Sequence, residues 1–246
     1  PTENAPHEHQ LRASFVRYLA LGGCAKLRPP DKGLQIVGAR IFGDGPKGAE
    51  TPGLDLVGAI MPVDLTLAFC YFNHLLSARG CSGQTFNFHG STFSEGLCGD
   101  GLAATGSVFL RQVKAKGEVR LLDAVIGGGL ECNGASFEAI KDNNGNWCNA
   151  FSIDGLAAKG GVFLELLNAR GTVRLVRATL VGSLCCDGAT FAAEQDTDGN
   201  WGDALQADGL TAGGDVLFRN VKAKGSVLLR GAVLGGSLIC DRTMIE

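Results

Sequence analysis

Apolar residues recur in closely spaced pairs along most of this chain, in steps of eleven residues. In the step 171–181, positions 3, 5, 8 and 10 are Val173, Leu175, Ala178 and Leu180. A spacing of two is the period of a strand with one buried face. The spacing of three between the two pairs turns a corner. Each step therefore predicts two very short strands and two corners.

The same phase runs through 17 steps between Lys32 and Glu246, and only the step 74–83 is shortened, to ten residues. Two steps close a roughly square coil of about twenty-two residues, so the chain forms about eight and a half coils. Strands stack about 4.8 Å apart, which predicts a rod about 40 Å long. No stretch keeps a helical period, and glycine recurs too often for helices. We therefore expect an all-β fold, a parallel β-helix or solenoid.

A longer repeat is built from these steps. Residues 101–154, 155–208 and 209–246 are copies of one another, joined without a gap at a constant offset. Self-similarity at a fixed period is typical of stacked architectures, in which each unit buries its apolar face against its neighbours. Such a rod offers long surfaces more readily than a single deep pocket.

Three short segments carry a resemblance to a known family: Ala135-Ser136-Phe137, Ala189-Thr190-Phe191 and Leu54-Asp55-Leu56. This pattern resembles the pentapeptide-repeat proteins, whose unit places a small residue, then Asp or Asn, then Leu or Phe on each side of a four-sided β-helix. The chain departs from them because each step combines five and six residues instead of five and five. The resemblance covers residues 32–246 and implies a right-handed β-helix. Similar proteins occur in bacteria, and the resemblance says little about activity.

The two ends of the chain differ from the repeat. In residues 1–31, Leu11, Phe15, Tyr18 and Leu19 lie at helical spacing before Gly22-Gly23. This segment predicts a capping helix and linker that hide the unpaired edges of the first coil. Residues 32–246 are predicted to form one elongated domain. At the other end Ile245 falls at an inward position in mid-step, which leaves open a longer natural chain or an end-to-end homodimer.

Charge and cysteine content narrow the expected environment. A formal net charge of −3 exerts little pull on a charged partner, so nucleic acid is not an expected ligand. The sequence has no apolar run long enough to predict a transmembrane helix. Cys132, Cys186 and Cys240 fall at the same inward position about 9.6 Å apart, which is too far for a disulfide. The nine cysteines show no zinc spacing, and a reducing cytoplasm is the expected compartment.

Three insertions interrupt the steps, at 43–51, 139–148 and 193–202. Even numbers of steps separate them, which predicts that all three leave the rod at the same corner. Insertions into repeat proteins often gather on a binding face. We call this predicted surface the loop edge.

The second and third insertions share the pattern D-x-[DN]-G-N-W. Asp196, Asp198 and Asn200 match the first three ligand positions of an EF-hand-like calcium loop, so they are candidate metal ligands. Equivalent spacing is found in the second insertion, at Asp142, Asn144 and Asn146. An Asp/Asn-Gly turn without metal is the alternative interpretation, since tryptophan replaces the expected glycine. Trp147 and Trp201 could stack on a ligand or clamp each loop to the rod.

A set of basic residues follows the long repeat: Lys116, Arg120, Arg170, Arg174 and Lys224. Stacking predicts that they form a basic stripe along one side. Asp100, Asp154 and Asp208 predict an acidic ladder at another corner. A basic stripe can bind phosphates or anionic lipid, or can simply keep the rod soluble.

Catalytic patterns are scarce, because no HExxH, GxSxG or P-loop occurs and the four histidines do not follow the repeat. We therefore expect a non-catalytic scaffold or protein-interaction module without cofactor, which contacts an unidentified protein through the loop edge or a charged face. One alternative is a calcium-dependent carbohydrate-active β-helix enzyme that uses Asp142 and Asp196. Another, implied by the resemblance, is a topoisomerase-inhibiting DNA mimic. That role needs a strongly acidic rod, whereas this chain has 25 acidic and 22 basic residues.

Overall fold

The computed structural model describes residues 9–23, 33–43, 53–61, 63–195 and 199–246. Within these ranges the chain folds into one short helix and many strands of two to four residues. The first elements are β1 Gln10–Arg12, α1 Ala13–Ala20, β2 Leu34–Val37, β3 Arg40–Phe42, β4 Leu65–Ala68, β5 Tyr71–Phe72, β6 Leu76–Ser77, β7 Ser82–Gly83, β8 Phe86–Asn87, β9 Thr92–Phe93, β10 Leu97–Cys98 and β11 Ala103–Ala104.

The remaining strands belong to the three repeat copies. They are β12 Val108–Phe109, β13 Lys114–Lys116, β14 Val119–Arg120, β15 Val125–Ile126, β16 Leu130–Glu131, β17 Ser136–Glu138, β18 Phe151–Ser152, β19 Ala157–Ala158, β20 Val162–Phe163, β21 Asn168–Arg170 and β22 Val173–Arg174. They continue as β23 Thr179–Leu180, β24 Leu184–Cys185, β25 Thr190–Ala192, β26 Asp203–Gln206, β27 Thr211–Ala212, β28 Val216–Leu217, β29 Lys222–Lys224, β30 Ser226–Leu228, β31 Val233–Leu234, β32 Leu238–Ile239 and β33 Met244–Ile245.

The strands stack into four sheets, and every strand pair in them is parallel. We number the sheets in the order in which the chain visits them from β2 onward. Sheet 1 is β2-β4-β8-β12-β16-β20-β24-β28-β32, and sheet 2 is β1-β3-β5-β9-β13-β17-β21-β25-β29-β33. Sheet 3 is β6-β10-β14-β18-β22-β26-β30, and sheet 4 is β7-β11-β15-β19-β23-β27-β31. This arrangement fits the predicted right-handed parallel β-helix, and the all-β solenoid fold is confirmed.

The strand register shows how the chain advances along the stack. Leu97 pairs with Val119, which is one regular coil of two eleven-residue steps further along the chain. Val119 pairs in turn with Phe151, and this longer interval contains the same two steps together with the ten-residue insertion 139–148. Because the register is restored after the insertion, the loop leaves the stack without disturbing it.

The core lies between the four sheets and is made of the predicted inward residues. Val173, Leu175, Ala178 and Leu180 are at most 1% exposed. Phenylalanines stack in the first coils, where the rings of Phe72 and Phe93 lie 4.8 Å apart. Burial of such apolar surface is the main force that holds the coils together.

Two polar residues are buried in the described ranges, Ser91 and Ser152. Ser91 is fully buried, donates to the carbonyl of Leu67 at 2.8 Å and accepts the backbone N–H of Cys70 at 2.9 Å. These two bonds satisfy its hydroxyl inside the stack.

Two of the four corners use a left-handed backbone conformation in every regular coil. Between sheets 1 and 2, a positive φ is found at Gln112, Gly134, Leu166 and Gly188. Between sheets 3 and 4 it is found at Asp123, Gly155, Arg177 and Gly209. Glycine and larger residues alternate because the larger side chain lies over the glycine of the next coil. A Cβ added to Gly188 would lie 2.8 Å from Leu166 Cδ2. Between Gln112 and Gly209 this alternation has the same two-coil period as the sequence repeat.

The N-terminal segment differs in part from its prediction. Helix α1 forms and ends before Gly22-Gly23, but it buries Ala13, Val16 and Ala20 while Phe15 and Tyr18 are about half exposed. Strand β1 joins sheet 2 by pairing with β3, so the predicted cap contributes a strand to the solenoid. The described ranges contain no helix with the length and apolar character that a membrane span requires.

The cysteines remain thiols throughout the described ranges, and Cys24 lies outside them. Cys132 and Cys186 occupy the predicted inward positions and are fully buried. Cys240 is exposed and lines an apolar cavity with Phe218 and Ile245.

Candidate functional site

The insertions leave the rod at the corner between sheets 2 and 3. The second insertion follows β17 and the third follows β25, and both strands belong to sheet 2. Most of the first insertion lies outside the described residues. The chain enters it from β3, also in sheet 2, and returns where Asp55 bridges to Ser77 of sheet 3. The loop edge is therefore one corner of the solenoid.

The second insertion folds back on itself as a small hairpin. Lys141 and Trp147 form an antiparallel bridge, and the N–H of Cys148 donates to the carbonyl of Ile140 at 2.9 Å. At the tip, Asp142 Oδ1 accepts the N–H groups of Asn144 and Asn146, both at 2.9 Å. Its Oδ2 accepts Nδ2 of Asn146 at 3.4 Å.

These hydrogen bonds lower the pKa of Asp142 below its ordinary value, and the backbone N–H of Asn146 makes the largest contribution. Both of its oxygens serve the turn, as the Asp/Asn-Gly interpretation expects. Across the described ranges, no three His, Cys, Asp or Glu side chains converge as a metal site would require.

The third insertion forms the same kind of hairpin. Gln195 and Trp201 form the equivalent antiparallel bridge, and Gln195 Nε2 donates to the carbonyl of Gly199 at 3.1 Å. Asp196 and Asp198, the predicted calcium ligands, lie outside the described residues. Asn200 is exposed and lines the groove between the two loops. Calcium binding at this loop stays a prediction.

A groove separates the two hairpins. Its walls are Trp147 and Trp201, which are 43% and 44% exposed, and its volume is about 240 Å³. Two strand spacings separate the hairpins, or about 9.6 Å. Lys141 Nζ lies 4.9 Å from the ring centre of Trp147, and Lys224 Nζ lies 5.8 Å from that of Trp201. Cation–π attraction therefore orients each ring, and both rings remain partly exposed.

The floor of the groove is the corner of the intervening coil, Gly171-Thr172. Gly171 has a φ of +112°, and an added Cβ would lie 2.5 Å from the Cβ of Ala139. Only glycine fits, so the floor carries no side chain at this point. Gly117 and Gly225, both with positive φ, hold the same place in the preceding and following repeat copies. This glycine spacing was visible in the sequence and could have located the groove.

Three members of the predicted basic stripe lie on the outward face of sheet 2. Lys116, Arg170 and Lys224 are exposed and belong to β13, β21 and β29. They are not immediate neighbours in the sheet, because Glu138 and Ala192 lie between them in the register.

Arg120 and Arg174 do not belong to that stripe. They lie on sheet 3, where Arg120 Nη2 is 2.7 Å from Asp100 Oδ2 and Arg174 Nη2 is 2.7 Å from Asp154 Oδ2. The prediction of one stripe was wrong at these positions, since a corner separates Lys116 from Arg120. The predicted acidic ladder is neutralised by the same pairs, and Asp208 pairs with Arg230.

The buried thiols are poor nucleophiles. Desolvation raises the pKa of Cys81 to about 12, and burial raises those of Cys132 and Cys186 as well. Because the thiolate is the reactive form, these cysteines are inert at neutral pH.

No protein-family model, curated protein sequence or solved structure matches this chain.

Proposed function

We propose that this protein is a non-catalytic β-solenoid interaction module that holds a protein partner against the loop edge. The observation that carries the proposal is the pair of exposed tryptophans facing one groove from equivalent hairpins. Exposed aromatic side chains on a rigid frame are typical anchors of protein interfaces. The carboxylate of Asp142 and the buried thiols have structural roles, which favours binding over catalysis.

The size of the groove favours an extended polypeptide segment. A strand advances about 3.3 Å per residue, so three residues span the roughly 9.6 Å between the hairpins. Polar side chains between the two rings could fix the backbone of such a segment, and they belong to Asn149, Thr172, Glu194 and Gln195.

Two finer assignments accompany this proposal. We assign the chain to a variant of the pentapeptide-repeat architecture, which the four parallel sheets and two-residue strands support. We also place the protein in the cytoplasm, and the free thiols of the described cysteines support a reducing compartment.

Site-specific photo-crosslinking tests the proposal. A photoreactive residue replaces Asn146 at the loop edge or Thr179 on sheet 4, and the full-length protein is irradiated in an extract of its source cells. We expect discrete crosslinked protein bands from position 146 and few from position 179. The bands should fade in the double variant Trp147→Ala, Trp201→Ala.

The matched control is the double variant Val125→Ala, Val181→Ala, which removes two exposed apolar side chains from sheet 4 and its corner. It should leave the bands unchanged. Equal crosslinking from both positions, or bands that survive loss of both tryptophans, would contradict the proposal.

A further inference from the structure

The outward side chains of sheet 2 nearest the loop edge form a column with alternating charge. The register places Lys116 beside Glu138 and Glu138 beside Arg170. It continues with Ala192 and then Lys224. Neighbouring strands lie about 4.8 Å apart, so each side chain in the column is next to the following one.

The repeat reveals a missing charge in this column. Glu138 and Ala192 are equivalent positions in successive repeat copies. The carboxylate that lies between two cations in the first copy is thus absent between Arg170 and Lys224. A depression of about 290 Å³ is found there, and Arg170, Thr190, Ala192, Lys222 and Lys224 line it.

The cations around the depression have no carboxylate partner. Arg170, Lys222 and Lys224 are exposed, and among the described residues none has a carboxylate oxygen within 4 Å. The hydroxyl of Thr190 and the amide of Asn168 add hydrogen-bonding groups, and Glu246 follows Lys224 in the column and also lines the depression. Three cations and one carboxylate leave a net positive field around the small side chain of Ala192.

We propose that the depression over Ala192 receives a carboxylate from an acidic segment of the partner. Glu138 occupies the equivalent position in the preceding copy, where the register places an acidic residue between Lys116 and Arg170. The proposal rests on the proposed function, because the depression adjoins the tryptophan groove. Arg170 precedes the groove floor at Gly171, and Lys224 lies over the ring of Trp201. A segment seated in the groove therefore reaches Ala192 with an Asp or Glu side chain.

Calorimetry with model peptides tests this assignment on the full chain. The probes are hexaglutamate and hexaglutamine, and the key variant is Ala192→Glu, which restores the missing carboxylate as in the first copy. We expect hexaglutamate to bind the wild type, to bind Ala192→Glu about tenfold more weakly, and to be released at high salt. Hexaglutamine should not bind.

The control variant is Ala157→Glu, which adds the same charge at a partly exposed outward position on sheet 4. It should bind hexaglutamate as the wild type does. Equal binding by Ala192→Glu, or no binding of hexaglutamate by the wild type, overturns the assignment. Inorganic phosphate that binds about tenfold more tightly than hexaglutamate overturns it too, because the site would then select phosphate.

The two proposals fail in different ways. Loop-edge crosslinks that are unaffected in Ala192→Glu, together with absent peptide binding, would remove the carboxylate assignment and leave the interaction module in place. Peptide binding that persists without loop-edge crosslinks would remove the interaction module instead. Thermal unfolding of Ala192→Glu should match the wild type, because the fold accepts glutamate at the equivalent position 138.

Discussion

Every coil contains two kinds of corner, and they place different constraints on the amino-acid sequence. At the corner between sheets 1 and 2, each residue must adopt a left-handed conformation, and alternate coils need glycine because a neighbouring side chain covers it. At the corner between sheets 2 and 3, a glycine in one coil alternates with a ten-residue hairpin in the next. The first corner is fixed by sterics in every coil, whereas the second is fixed only in the coils that carry glycine and accepts insertions in the others.

The difference shows where this solenoid has room for a binding site. An insertion at a left-handed corner would displace the side chain that covers the next glycine. At the insertion corner the strands on either side of the second hairpin keep their register, and a local register shift at Asp203–Leu205 follows the third hairpin. Exposed loops on a rigid scaffold are where binding residues usually lie.

The largest expected effect comes from the core beneath the insertion corner. The rings of Phe137 and Phe151 lie 5.1 Å apart directly inside the second hairpin, and both are fully buried. Phe137→Ala should lower the free energy of unfolding by about 3–5 kcal/mol through a cavity and lost apolar burial. Urea denaturation followed by circular dichroism measures the change.

Trp147→Ala is the control for this variant, because its ring is partly exposed on the hairpin. It should change the free energy of unfolding by less than about 1 kcal/mol. A loss as large as that of Phe137→Ala would show that the hairpin supports the core, and the contrast between the corners would break down.

The next effect concerns the floor of the groove. Gly171→Ala places a Cβ at a φ of +112° and 2.5 Å from the Cβ of Ala139. We expect a loss of about 1–3 kcal/mol in urea denaturation, since an alanine is strained there whatever space it finds. Gly145→Ala, at a φ of +82° on the open tip of the hairpin, shares the backbone strain but has no atom within 4 Å of the added Cβ, so it should lose less. Equal losses would mean that the floor is no tighter than the tip.

A stabilising substitution sharpens the comparison at the left-handed corner. Leu166 has a φ of +58° although it is 70% exposed. Asparagine adopts this conformation more readily, so Leu166→Asn should raise the free energy of unfolding by up to about 1 kcal/mol. Val181→Asn, an exposed position without positive φ, should give no gain in the same urea experiment. A matching gain at both sites would assign the effect to polarity instead of conformation.

The smallest expected effect is a loss of folding stability at acidic pH that arises at the left-handed corners. Hydrogen bonds from Arg219 lower the pKa of Asp187, and those from Arg230 lower the pKa of Asp208, each from 3.8. A carboxylate whose pKa is lower in the folded state stabilises the fold above its unfolded pKa, and this contribution disappears as the pH falls through the folded pKa. Urea midpoints should therefore decline below about pH 4.

The double variant Asp187→Asn, Asp208→Asn should show a weaker decline over this range. The pairs are exposed, so the difference from wild type should be modest and smaller in high salt. A decline identical to that of the wild type would place the acid sensitivity elsewhere in the molecule.

The fold was predictable because buried positions follow one regular pattern along the sequence. A period of two within each pair and a fixed step between pairs identify residues such as Val173 and Leu180 as inward, and no tertiary detail is needed for that. The left-handed corners were harder to predict. Leu166 and Arg177 look like ordinary exposed residues in the sequence, and only the stacked coils show that they lie over Gly188 and Gly209.

The surface was predictable only in part. The constant offset between repeat copies brings equivalent residues onto one line, but it does not say which lines share a sheet. Arg120 lies four positions after Lys116 and was assigned to the same stripe, yet the corner at Gly117 turns it onto sheet 3 beside Asp100. The buried face of helix α1 was predicted incorrectly for a different reason. Phe15 and Tyr18 are about half exposed, whereas Ala13, Val16 and Ala20 are buried.

The direction of the backbone hydrogen bonds has a mechanical consequence. In all four sheets these bonds join one coil to the next, so they run along the long axis of the stack. Tension applied along that axis would load the bonds of one rung at a time and peel the coils off in succession, at low and nearly constant force. Traction across the axis would instead pull against many rungs together. A partner that grips several turns from the side would therefore hold the molecule in its mechanically strongest direction.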